Sequence, residues 1–222
     1  FKPLKVVIDA ANGMGGLSWQ LLKKKLPISI IPLYFEPDGR FPNHLPDPLQ
    51  SKNLLDLKEK VRKDKADLGF AIDGDADRLF VVDDRSEALT GSLVAAMLAE
   101  FLLAKKGPSI VLYSITCSKI VPEIIKQNAG YAKKTRVGHS FIKTEMKKTN
   151  ALFAAEHSGH FYFRDNFYAD SSTLAGLFLL EFLSGKNRKL SDLRKNYEKY
   201  SSSDEINYVV DDFKKISHNL SE

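Results

Sequence analysis

Short apolar runs alternate with amphipathic stretches along this chain, and that alternation predicts strands and helices in turn. Residues 1–10 read as a buried strand, because Leu4 and the run Val6-Val7-Ile8 end in the turn Asn12-Gly13-Met14-Gly15-Gly16. A helix over 17–26 and a second strand over 28–33 follow. The next loop holds Pro37, Gly39, Pro42, Pro46 and Pro48, too many breakers for a helix or a central strand. Long ordered loops of this kind are often functional. Leu54, Leu55, Leu57 and Val61 in a charged background make 54–65 an amphipathic helix, and strands over 68–72 and 79–82 flank an acidic segment, 73–78.

The pattern resets at a polar turn around 83–88, which places a domain boundary near Glu87. A long helix over 89–104, a strand over 110–113 and helices over 118–127 and 140–149 come next. Strands over 151–155 and 160–163 precede helices over 169–183 and 190–197. The fold class is therefore α/β, in two units of similar size, 1–87 and 88–200, with no close sequence repeat between them. Residues 201–222 carry Asn207-Tyr208-Val209-Val210 and an amphipathic 213–216, too little for a third core, and read as the start of another element.

Composition narrows the partners. Lys and Arg number 33 against 28 acidic residues, a net +5 spread along the sequence. A nucleic-acid footprint is more concentrated, so no nucleic-acid partner is expected. With 43% hydrophobic and 27% charged residues, disorder of the whole chain is excluded. A single cysteine, Cys117, rules out an intrachain disulfide and a Cys-based zinc site, and suits a reducing compartment. No apolar run approaches the roughly 20 residues of a bilayer crossing, so no membrane partner is expected and a cytoplasmic location is. The opening FKPLKVVIDA lacks a Met and signal-peptide regions, which suits a piece of a longer protein.

Three segments carry candidate chemistry. Asp73-Gly74-Asp75-Ala76-Asp77-Arg78 follows an apolar strand, and carboxylates at i, i+2 and i+4 of an extended segment project to one side. Oxygen-only ligands point to Mg²⁺ or Mn²⁺ rather than zinc, and Arg78 would neutralise a phosphate beside the metal. An EF-hand does not fit, since the sixth position is Arg78 and the twelfth is Asp84, leaving a solvated acidic hairpin as the bland alternative. Glu156-His157-Ser158-Gly159-His160 crowds a carboxylate, a hydroxyl and two imidazoles between strands, groups suited to sugar hydroxyls and to general acid/base work. A polar turn with a structurally bonded histidine would read the same way. In Gly138-His139-Ser140-Phe141-Ile142-Lys143, Ser140 is an N-cap candidate, and His139 and Lys143 would favour an anion at the helix start. By itself that segment is ordinary helix-capping sequence, and capping is the better explanation of it. The turn 12–16 matches neither a dinucleotide fingerprint nor a P-loop and reads as a tight strand-to-helix turn.

In order, VVIDAANGMGG, FPNHLPDPL, ADLGFAIDGDADRLFVVDD, TRVGHSFIK and AEHSGHFYFRD resemble the α-D-phosphohexomutases of the bacterial phosphomannomutase/phosphoglucomutase type. The resemblance implies two consecutive three-layer α/β domains with mixed sheets, the second and third of four. The first domain would supply a phosphoserine, and 201–222 would run toward the fourth. It further implies Asp73, Asp75 and Asp77 as Mg²⁺ ligands and Arg78 beside the reacting phosphoryl group. Glu156 and Ser158 would grip sugar hydroxyls, His160 would be the acid/base, and His139 and Ser140 would lie on a substrate-contacting loop. The implied reaction moves a phosphoryl group between the 1- and 6-positions of a hexose phosphate through a bisphosphate. His157 and FYFRD lean toward mannose. The chain departs from the family where many members have Asp-Val-Lys-Cys: Thr116 precedes Cys117, and Lys119 or Lys143 is the candidate to supply the missing charge. Two rivals remain: a non-catalytic sugar-phosphate binder, and a two-aspartate phosphatase using Asp73 as nucleophile.

Overall fold

The computed structural model describes residues 2–201, and these form two five-stranded mixed sheets. The first half runs β1 (Lys5–Asp9), α1 (Gly15–Leu22), β2 (Ser29–Leu33), α2 (Leu55–Asp64), β3 (Leu68–Ile72), β4 (Leu79–Asp83), β5 (Ala88–Leu89) and α3 (Gly91–Lys106). The second repeats that order with β6 (Ile110–Ser114), α4 (Ile120–Gln127), β7 (Tyr131–Thr135), α5 (His139–Thr149), β8 (Phe153–Ala155), β9 (Phe161–Phe163), β10 (Ala169–Asp170) and α6 (Ser172–Lys186), then adds α7 (Leu190–Leu193). In each sheet the first strand pairs in parallel with the second and third, and the fourth and fifth follow antiparallel. The halves are thus topological duplicates although no repeat is visible in the sequence.

The sheets bury both faces. On one face of the first, Val7, Ala71, Phe80 and Val82 pack against Leu57 and Val61 of α2. On the corresponding face of the second, Leu112, Ala154 and Tyr162 pack against Ile142 and Met146 of α5. Between the two, one continuous core runs from Val6, Ile8 and Phe70 through α1, α3, α4 and α6 to Phe153 and Phe161. Helices α3 and α6 occupy equivalent places after the fifth strand. Residues Gly91 to Ala99 of α3 are all buried, as expected of a helix that is apolar all round. Each has a side-chain cap, Thr90 accepting from the Leu93 N–H and Ser171 from the Leu174 N–H.

Several expectations shift. The helix expected over 17–26 starts at the glycines and stops at Leu22. The helix expected to begin at residue 89 begins at Gly91, because 88–89 pair with β4. Strand β7 has no counterpart in the sequence pattern: YAKKT has no apolar run, since it is a sheet edge whose side chains mostly face solvent. The helix expected over 169–183 starts at Ser172, after the short strand β10. Ser140 is not an N-cap but lies in the first turn, the cap position being Gly138. Among the described residues no helix is long and apolar enough to cross a membrane. The segment expected as a linker lies, from residue 202 onward, outside the described residues.

Because one core joins both halves, they should unfold together. Leu98→Ala in α3, a fully buried position, should cost about 2–5 kcal/mol. It should also move the Trp19 fluorescence transition and the far-UV circular dichroism transition to the same lower denaturant midpoint. Two separated transitions would contradict a shared core.

Candidate active site at the meeting of two hairpins

The acidic segment 73–78 connects β3 to β4, and Glu156 to His160 connect β8 to β9, so both occupy the same hairpin of the duplicated topology. The hairpins meet. Arg78 and His160 form an antiparallel bridge, and the Leu79 N–H donates to the Gly159 carbonyl at 3.0 Å. Gly159 has φ +92°, and a Cβ there would press on Phe80 and the Leu79 carbonyl, so glycine permits the contact. Ser172 Oγ at the start of α6 donates to the Ala76 carbonyl at 2.6 Å, tying the acidic loop to the second half again.

Asp73 organises the acidic loop. It is 1% exposed; Oδ1 accepts from the Asp77 and Arg78 backbone N–H groups at 3.1 and 3.0 Å, and Oδ2 accepts from Arg78 Nε at 2.5 Å. Arg78 is also held by Asp47 of the proline-rich loop, 3.7 Å away. Such burial and pairing leave Asp73 badly placed as a nucleophile, which counts against the two-aspartate phosphatase. Asp75 is exposed and Asp77 half-buried, and carboxylate oxygens of all three lie within 4.8 Å of one another. Burial, then repulsion from Asp73 and Asp75, pushes the Asp77 carboxyl up to about 7. Three crowded oxygen donors, one resisting ionisation, fit a hard divalent cation. The turn 12–16, which sequence alone left as a tight connection, packs on this loop: the Met14 N–H donates to the Gly74 carbonyl, and a Cβ on Gly13 would stand 2.6 Å from that oxygen.

The second hairpin supplies bases and hydroxyls. His160 Nε2 faces Asp77 Oδ1 at 3.4 Å, its Nδ1 bonds Ser158 Oγ at 3.0 Å, and burial lowers its pKa. Glu156, 2% exposed, accepts from the Gly138 N–H at 3.2 Å and from the Tyr162 hydroxyl at 2.7 Å. Burial, and then that bond, raises the tyrosine pKa. His139 sits edge-on to His160, ring centres 4.6 Å apart. Asp170, which drew no attention in the sequence, lies 3.2 Å from both His139 Nδ1 and Lys143 Nζ. Hence Asp77, Arg78, His139, Lys143, Ser158 and His160 gather at one place, whereas Ser140 lines an open cavity of about 490 Å³ with Lys134, Arg136 and Phe141. At the position of the family departure, Thr116 shares a cavity of about 350 Å³ with Lys119 and His157, while Lys143 is committed to Asp170. His157 is itself fixed by Ser92 Oγ at 2.8 Å.

Paired α/β halves whose equivalent hairpins bring carboxylates, an arginine and histidines together define the class of site, and sequence comparison places it. Residues 2–87 match the model for phosphoglucomutase/phosphomannomutase α/β/α domain II, and residues 90–200 that for domain III. The chain belongs to the phosphoglucomutase/phosphomannomutase family. It is 39% identical over 218 residues to a phosphomannomutase of Methanocaldococcus jannaschii, covering 98% of this chain and 49% of that one. It is 36% identical over 217 residues to a phosphomannomutase/phosphoglucomutase of Pseudomonas aeruginosa, covering 97% and 47%. A crystal structure of a family protein from Burkholderia thailandensis superposes with TM-score 0.85 at 33% identity, over 91% of this chain and 44% of that one. The chain thus spans about half the length of the relatives it matches.

One ion pair under the site has a pH signature. His44 Nε2 lies 3.0 Å from buried Asp9, and that hydrogen bond raises the imidazole above its ordinary 6.5. With the folded pKa above the unfolded one, the pair's contribution is complete below about 6.5 and is lost as pH rises through the folded value. His44→Asn should therefore lower the denaturation midpoint more at pH 6 than at pH 9. An equal loss at both would show that the pair is not charged in the folded protein.

Proposed function

We propose that this chain is the metal-binding and sugar-binding part of a phosphohexomutase, moving a phosphoryl group between the 1- and 6-positions of a hexose phosphate, with mannose preferred and glucose accepted. The observation that carries it is the backbone bridge that sets His160 against Asp77. A carboxylate trio and a half-buried, proton-accepting imidazole stand side by side, as a phosphoryl transfer to a hydroxyl requires.

Asp73, Asp75 and Asp77 would hold Mg²⁺, which when bound supplies positive charge to the transferring phosphoryl oxygens. Arg78, braced by Asp73 and Asp47, adds a fixed guanidinium for the same charge. His160 takes the proton of the attacking sugar hydroxyl and returns it in the reverse direction. Its lowered pKa keeps the ring neutral and ready to accept. Ser158 fixes the ring and, with His139 and Lys143, faces the sugar phosphate. Glu156 accepts one bond at each oxygen, which holds the carboxylate in place, and its remaining lone pairs are free to accept from a sugar hydroxyl. Lys119, beside Thr116, takes the place of the lysine that many relatives carry. The phosphoserine and the outer phosphate grip would come from parts of a parent protein beyond these residues, consistent with relatives of twice the length. The chain by itself would then show no meaningful turnover.

Phosphorus NMR of the full-length parent with mannose 1-phosphate, Mg²⁺ and a trace of hexose bisphosphate should show conversion to the 6-phosphate. His160→Ala should slow it by about 10²–10⁴-fold. Binding without conversion of either mannose or glucose phosphate would favour the non-catalytic binder, the reading that Thr116 keeps open.

A further inference from the structure

We propose that Asp77, His139, His160 and Asp170 form a second metal site, distinct in chemistry from the carboxylate trio, that takes a borderline transition-metal ion such as Zn²⁺ or Co²⁺. One ligand atom from each of the four lies within 4.8 Å of the others. Two atoms each about 2.1 Å from a shared metal stand at most ~4.2 Å apart, so a small side-chain adjustment closes the set. Two imidazole nitrogens and two carboxylate oxygens suit zinc, cobalt or nickel, whereas the all-oxygen trio suits magnesium.

An independent observation points into the same space. Asp170 Oδ2 is buried on a side chain only 7% exposed and makes no aligned hydrogen bond, although His139 Nδ1 stands 3.2 Å from it. The remaining atoms are arranged as outer-shell partners of a metal usually are. Asp170 Oδ1 is paired with Lys143 Nζ. His160 Nδ1 is taken by Ser158 Oγ, with Glu156 Oε2 at 3.5 Å, and its Nε2 is left facing Asp77. The four ligands come from the first hairpin, the first turn of α5, the second hairpin and β10, so the site exists only once both halves are folded together.

Asp77 belongs to both sets. On the reading given under Proposed function, an ion held here takes the Nε2 lone pair that His160 needs for proton transfer, so a transition metal silences the site that magnesium supports.

The probe is Co²⁺, titrated into the 222-residue chain in saturating Mg²⁺ and followed by visible absorption, which requires no turnover. The expected result is one equivalent of nitrogen-ligated Co²⁺ absorption, displaced by Zn²⁺. His139→Gln and Asp170→Asn should each weaken binding by more than about tenfold, while Asp75→Asn leaves it in place. Circular dichroism checks that each variant is folded, and His139, half-exposed, serves if Asp170→Asn does not fold. Absent absorption at millimolar Co²⁺, absorption unchanged in the folded variants, or absorption lost with Asp75→Asn would each overturn the proposal. A parent protein without mutase activity would leave a positive titration standing.

Discussion

Everything in this site depends on a short stretch of backbone pairing between Arg78 and His160. The bridge and the neighbouring bond from the Leu79 N–H to the Gly159 carbonyl join two hairpins from different sheets. Without it, the carboxylates of one half and the imidazoles of the other would belong to separate surfaces. The rest of the fold holds that junction still. Helices α3 and α6 fill the layer between the sheets, Ser172 at the head of α6 holds the Ala76 carbonyl, and the continuous core leaves no soft plane along which the halves could part. The duplicated topology explains why the junction is possible, since in each half the functional loop is the turn between the third and fourth strands.

The junction concentrates charge. Asp73, Asp75, Asp77 and Asp170 converge with two histidines, against Arg78 and Lys143 as the nearby cations. Partial burial raises the cost of each ionised group, which is why the Asp77 carboxyl is pushed up and the His160 imidazole down. A site in that condition favours cations.

The sequence made the centre of this arrangement legible because its chemistry is local. Asp73 to Arg78 and Glu156 to His160 are contiguous, and the flanking strands β3 and β4 are continuous apolar runs that announce themselves. Asp170 was silent for the opposite reason: its partners His139 and Lys143 lie some thirty residues earlier in the chain and reach it only through the pairing of β9 with β10. Strand β7 lacks the apolar pattern by which strands are recognised, as sheet edges do. The turn 12–16 gave no hint that it supports the acidic loop, because the contact with Gly74 is between backbones and leaves no side-chain trace beyond Gly13. The duplication of the two halves was invisible since topology is preserved by burial pattern alone, and residues that fill equivalent places, such as the caps Thr90 and Ser171, need not be identical.

A metal bound by the trio would share one site with the His160 ring. Paramagnetic relaxation tests it directly, with Mn²⁺ bound to the chain and the imidazole signals followed by NMR. Strong broadening of His160 and His139 is expected, with loss of the broadening in Asp75→Asn. Broadening that spares His160, or that survives Asp75→Asn unchanged, would contradict it.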